Sequence, residues 1–279
     1  MRKVLLFVGL AALIPQVALS GWLSDPSRNF GLQLGYERGY VGVLAHTIQF
    51  GREGTKFDYV REGNQNILFP FERLSAELHL KQRHGLVLLV QPLDVRTVAT
   101  LRSPLILDGD TFPAGTPMNL RYGFDFYRLS YQYDFWPEPD RELAAGISLQ
   151  LRDASIAFAS QDGNRLRVYQ DVGPVPILRL RTRLPVNRVS WVGAEVDGFY
   201  AQGKVVTGST NVESTFRGAI LDASLRYGLS FRDALDGFFN VRYLGGGASG
   251  QQQNPENPGD GYTDNWLGTV SLTLGFYVR

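Results

Sequence analysis

Three histidines, His46, His79 and His84, and no cysteine limit the acid–base and metal chemistry open to this chain. Acid–base or nucleophilic catalysis needs an imidazole beside an acid or a hydroxyl. Glu77, His79 and Lys81 occupy alternate positions, so a strand would set them on one face as part of a charge network. His84 falls in the tight turn Arg83-His84-Gly85, a poor place for a catalytic group. His46 would need Asp197 or Asp222 brought to it from far along the chain. Without thiols there is no disulfide, no lipid-modified cysteine and no thiolate metal site. No metal or other cofactor is expected, and no catalytic set is assigned.

The charged residues form the larger pattern. Arg179, Arg181 and Arg183 alternate, and so do Glu195 and Asp197, with the turn Pro185-Val186-Asn187-Arg188 between the two rows. Folding one row on the other sets Arg179 beside Glu195. Glu77, His79, Asp94, Arg121, Asp125, Asp222, Arg226 and Arg242 share this inward parity in the strands read below, as do Arg73, Lys81, Arg96 and Arg152. Both signs are mixed, and buried charges survive only when paired. The set therefore predicts either an ion-paired lattice that fills a narrow interior, or a narrow, porin-like solute pore whose arginine row favours anions.

The elements that would position these residues are strands. Leu74, Ala76, Leu78 and Leu80 alternate with Ser75, Glu77 and His79, and after Arg83-His84-Gly85 the apolar face resumes at Leu86, Leu88 and Val90. Such alternation around a turn marks a hairpin. The rhythm recurs through Leu120–Phe135, Leu143–Phe158, Leu178–Arg183, Val192–Asp197, Ala219–Tyr227, Phe239–Tyr243 and Trp266–Val278. With a first strand over Val41–Phe50, ten strands are predicted; Phe30, Leu32, Leu34 and Tyr36 also alternate and would make twelve or a plug-like segment. The apolar parity switches near Gln91–Leu93, Tyr127–Arg128 and Asp153. Two readings fit: a β-bulge at each, or strands leaving the membrane there. Short turns near 83–85, 137–141, 185–188 and 232–236 alternate with longer polar connections near 51–70, 101–117, 203–215 and 246–264. Tyr122, Phe126, Tyr133, Phe135, Trp136, Tyr200, Tyr243 and Phe276 are read as interfacial aromatic girdles. Residues Gly245–Asp264 are read as a Gly- and Pro-rich surface loop able to meet a surface ligand. Asp260, Asp264 and Asn257 lie in it but lack the spacing of an EF-hand. Gly51–Asp58 has no phosphate-loop spacing.

The ends of the chain suggest where it works. Arg2 and Lys3 precede an apolar run, Val4–Ile14, and Ala18-Leu19-Ser20 has the small-x-small pattern of a cleavage site. Residues 1–20 are therefore read as a signal peptide and 21–279 as a single domain. The run is shorter than the roughly 20 residues of a spanning helix. Without Arg2 and Lys3, the 28 basic and 27 acidic side chains become 26 and 27. This balance gives no electrostatic footprint for nucleic acid. The mean hydropathy of −0.13 suits a barrel with a polar lumen.

Leu267 to Arg279, alternating to the chain end, resembles the C-terminal targeting strand of bacterial outer-membrane β-barrel proteins. The resemblance implies that the barrel-assembly machinery inserts the chain and that outer-membrane lipids surround it. The fold class expected is all-β, a closed antiparallel up-and-down transmembrane barrel of about ten strands in the outer membrane. Its role is read as structural or binding, or as passage of a small solute. An outer-membrane enzyme acting on lipid or peptide near the outer rim is the alternative, although no His-Ser segment of the kind found in barrel deacylases is present.

Overall fold

Ten strands run up and down and close on themselves. In the computed structural model, which describes residues 24–25, 30–136, 138, 140–207, 212–232, 234–251 and 260–279, the barrel strands are as follows. β1 is Phe30–Phe50, β2 Leu68–Leu80, and β3 two runs, His84–Gln91 and Asp94–Thr100. β4 is Pro117–Asp134, β5 Glu142–Ser160, β6 Leu166–Pro185 and β7 Ser190–Thr207. β8 is Val212–Arg232, β9 Leu235–Gln251 and β10 Tyr262–Val278. Each pairs antiparallel with its chain neighbours, and β10 closes the ring on β1. The signal-peptide reading falls on residues outside those described.

The stagger follows from the register. One circuit across paired residues from Leu32, through Leu78, Ile147 and Leu221, returns to Ala45. Ala45 lies thirteen residues further up β1, and one of these, Leu44, is skipped by the ladder to β10. A stagger of about 40 Å along the strands, against a width of about 48 Å across them, tilts the strands by about 40°. Closure at this tilt joins the two end strands, so the sheet has no terminal edge to expose in lipid, where each unpaired backbone group would cost several kcal/mol.

The short turns gather at one end of the barrel and the long connections at the other. Toward the short-turn end the outward residues are apolar and exposed: Leu178 and Leu274 are each 70% accessible. An exposed belt of this kind is what hydrocarbon solvates.

Several expectations are corrected. Phe30–Tyr36 adds no strand, because it is the lower part of β1. None of the three parity switches is a bulge. β4 and β5 stay in register through Tyr127, Arg128 and Asp153, and Gln91↔Phe126 continues in step as Asp94↔Gly123. The side chains never change sides; the polarity of each side inverts. Above Tyr127 the inward residues of β4 are Phe126, Tyr122, Leu120 and Met118, all buried, so Tyr122 and Phe126 belong to no girdle. The outward residues there are Asp125, Arg121 and Asn119. The register shifts that do occur lie at Leu44 on β1 and between Ser230 and Arg232 on β8.

The long connections are also more structured than their polarity suggests. Residues 51–67 and 101–116 turn inward and bury Phe57, Tyr59, Leu105, Leu107 and Phe112 against Val41, Ile48, Phe69, Phe71 and Phe158. This apolar plug occupies the long-loop end on the β1–β5 side. Gly245–Gln251 and Tyr262–Asp264 are strand rather than loop. Asp260 and Asp264 are engaged, with the Arg52 amide and with Lys56 and Trp266 respectively, while Asn257 lies outside the described residues.

Candidate functional site

Below the plug the interior is ionic. Five arginines, Arg73, Arg128, Arg179, Arg226 and Arg242, interlock with Glu37, Glu195, Asp197 and Asp222. Each sits on a strand whose partner parity faces lipid, so alternation alone drives the charge inward. Glu195 is the hub. It lies 2.8 Å from Arg73, 3.0 Å from Arg179 and 3.5 Å from both Arg226 and Arg242. Asp222 pairs with Arg242, with Arg128 at 3.1 Å and with Arg73 at 3.4 Å. Arg128, wholly buried, also pairs with Asp197 and donates to Gln150 at 2.8 and 3.0 Å. Glu37 accepts from Asn240 at 2.6 Å and from Thr273 at 3.0 Å.

Two smaller groups continue the lattice toward the short turns. Arg181 meets Glu77 and Glu142, with Gln132 donating to both carboxylates and accepting from Arg179. Arg183 and Arg279 share Asp236. With Gln91 accepting from Arg73, every strand of the barrel contributes a side chain. Charge at this density is tolerable because each ion meets several partners; one removed partner would leave a buried charge unmet.

The sequence-predicted residues divide. Glu77, Arg179, Arg181, Arg183, Glu195, Asp197, Asp222, Arg226 and Arg242 lie in the interior as described. His79 is at the mouth, 3.4 Å from Glu77 and partly exposed. Asp94, Arg121 and Asp125 do not join them, because they stand on the outward face above the polarity inversion. Asp94 pairs with Arg121 and Arg96 there; burial acts to raise its pKa, and the hydrogen bonds from those arginines outweigh it and hold the carboxyl low. Asp125 accepts the Leu93 amide at 3.1 Å.

Glu37, Arg128, Glu142 and Asp236 were missed. Arg128 was legible, since outward Tyr127, Leu129 and Tyr131 force Arg128, Ser130 and Gln132 inward. It sat on an apparent parity switch that obscured its face. Glu37 alternates with Leu34 and Tyr36, and would have been found had that stretch been joined to β1.

Glu195, Asp197 and Asp222 bring carboxylate oxygens within 4.8 Å of one another. Arginines hold all three, so a cation would compete with guanidinium groups already in place.

His46 belongs to the plug. It is buried, stacks on Tyr59 at 4.3 Å and meets the edge of Tyr122 at 4.3 Å; its Nδ1 lies 2.7 Å from Gln65 Oε1. Gln65 can only accept there through Oε1, so Nδ1 carries the proton. Burial lowers the His46 pKa to about 4. A neutral ring packed in an apolar cluster and bound to an amide does not make an acid–base pair with Asp197 or Asp222, both of which lie in the lattice. His84 is on the outer face, 2.8 Å from the Tyr131 hydroxyl.

The comparisons with known proteins concern the fold. No family model matches the sequence, and no curated protein does. Among solved structures, the outer membrane protease OmpT from Escherichia coli is similar at TM-score 0.50 and 9% identity, covering 89% of this chain and 96% of that one. The Pseudomonas putida toluene transporter TodX (TM-score 0.36, 9% identity, 97% and 93% covered) is also found. So is the transport unit of the Escherichia coli autotransporter AIDA-I (0.39, 8%, 94% and 95%). This chain is a ten-stranded antiparallel barrel of the bacterial outer-membrane kind.

Proposed function

We propose that this protein is a sealed barrel of the outer membrane, and that its role is structural or binding, carried by its wall and loops rather than through its lumen. The supporting observation is the double closure of the interior, by an ionic lattice that reaches all ten strands and by an apolar plug above it. In this reading residues 1–20 direct export and the barrel-assembly machinery recognises β10. Outer-membrane lipids solvate the Leu-, Val- and Tyr-rich belt. A fold of this kind hosts unrelated roles, so the site rather than the architecture decides.

The pore reading is weaker. Arg179 is met by Glu195 and Asp197, Arg181 by Glu77 and Glu142, and Arg183 by Asp236, so the row offers no unmatched ring of charge to a passing anion. The enzyme reading is weaker too, because His46 is enclosed and hydrogen-bonded to an amide. The test is single-channel recording of the purified protein in planar bilayers. No steady conductance is expected; reproducible ion steps would return the lumen to the status of a pore.

A further inference from the structure

The barrel wall is not uniformly laced. The ladder between β2 and β3 ends at Leu74↔Val90, yet both strands continue. Among the described residues, Leu68–Arg73 pairs with β1 and Asp94–Thr100 with β4, and no pairing joins the two. The wall parts there into a seam. Pro70 and Pro92 stand on its two edges, and neither has an N–H to lend to a ladder. A backbone group at the seam is met from elsewhere: Asn64 Nδ2 donates to the Val98 carbonyl at 2.8 Å. Asn64 has φ of 57°, a left-handed conformation that asparagine tolerates. Leu68 and Val98 flank the opening with exposed apolar side chains.

At the foot of the seam lies a cavity of about 150 Å³. It crosses the wall, with Leu74, Val90 and Tyr127 lining it from the outer face and Arg73, Gln91 and Phe126 from the inner. A cavity of that size takes about six carbons. Gln91 is fully buried; its Oε1 accepts from Arg73, and its Nε2 has no partner. A buried donor left unmet is costly, so Nε2 calls for an acceptor. That acceptor is not an anion. Arg73 is already neutralised by Glu195 and Asp222, and the carboxylates of Glu72 and Asp125 border the cavity. The level is also informative. Tyr127 is the last outward aromatic of β4 before Asp125, so the mouth opens where hydrocarbon gives way to the polar interface.

We propose that this notch is a lateral binding site, open to the lipid phase, for a short apolar segment ending in a neutral carbonyl or ester oxygen that accepts from Gln91 Nε2. The ester region of a membrane lipid and a free lipophilic ester share that chemistry. The proposal does not depend on the lumen being closed, so a conducting barrel would leave it intact.

The experiment follows the side-chain amide resonance of Gln91 by NMR in the whole protein, held in lipid nanodiscs. Methyl hexanoate is the free probe, with hexanoate and hexane beside it, and nanodiscs of ester-linked and ether-linked phosphatidylcholine are compared. If a lipid occupies the notch, the resonance differs between the two lipids; if a free solute does, it shifts saturably with methyl hexanoate in both. Either result supports the site, provided that Leu74→Trp, which fills the mouth, abolishes the shift. Gln91→Met should keep hexane binding while weakening methyl hexanoate about three- to tenfold, the effect of one neutral hydrogen bond, as read by competition with a brominated hexane analogue. Far-UV circular dichroism checks that both variants fold. An amide resonance insensitive to lipid and probe, a shift that survives Leu74→Trp, or equal binding of hexanoate would overturn the proposal, the first meaning that the notch holds only water.

Discussion

At the scale of single residues, the interior separates groups that must stay charged from one that must stay neutral. Glu195 meets four guanidinium groups, so Glu195→Gln leaves buried positive charge with too few partners. A loss of about 3–5 kcal/mol is expected, against a much smaller loss for Glu142→Gln at the more open mouth. Urea titration of folded protein in detergent would measure both, and equal losses would refute the hub role of Glu195. His46 makes the opposite demand. Its folded pKa lies near 4, below the ordinary histidine value of about 6.5, so the unfolded chain binds the proton more readily. The stabilisation from a neutral His46 is complete above about pH 6.5 and is lost as pH falls toward 4, by about 3 kcal/mol in all. The protection factors of amides in residues 51–67, with intrinsic exchange divided out, should therefore fall as pH drops between those values, and His46→Gln should flatten the dependence. Protection factors indifferent to pH in the parent protein would exclude this account.

At the scale of the elements, neighbouring strands pack side by side by matching large residues to missing ones. Trp191 on β7 lies over Gly228 on β8, where an added Cβ would come within 2.1 Å of the indole ring. Gly228→Ala should cost about 1–3 kcal/mol as an overpacked site. Trp191→Leu in the same chain should recover much of that loss, and strict additivity of the two changes in an unfolding cycle would show that they do not touch. Most of the strands were legible in the sequence because the belt side is so consistently apolar: Leu143, Ile147, Leu149 and Leu151 announce β5 without help. Strand length was harder to read. β1 crosses from an outward-apolar to an inward-apolar regime and passes a bulge at Leu44, so its lower part looked like a separate element. The parity switches misled for the same physical reason, since apolar alternation reports which side is dry and not which side is inside. Where water replaces lipid outside the wall, the dry side becomes the interior. The candidate site was read best where β6 and β7 pair deep in the barrel, and worst at Asp94, Arg121 and Asp125, which sit beyond that crossover.

At the scale of the whole molecule, the barrel combines two protein types in one wall. Its short-turn half is a membrane protein, greasy outside and ionic within. Its long-loop half, on the β1–β5 side, follows the logic of a soluble barrel, with Phe, Leu and Tyr packed inside and Asp94, Arg96 and Arg121 facing out. On the proposed reading the two halves seal the lumen by unrelated physics, and the consequence is testable by opening each separately. Phe57→Ser with Leu107→Ser removes apolar burial from the plug but leaves the lattice ion-paired. Arg128→Ala with Asp197→Ala removes a neutral pair from the lattice but leaves the plug dry. Neither double variant should pass ions in a planar bilayer, because each leaves one barrier whole. The quadruple variant should show conductance steps, since water entering through the loosened plug can then reach the gap left in the lattice. Conductance in the plug variant alone would mean that the charged layer is already permeable to ions, and that the apolar plug is the only gate.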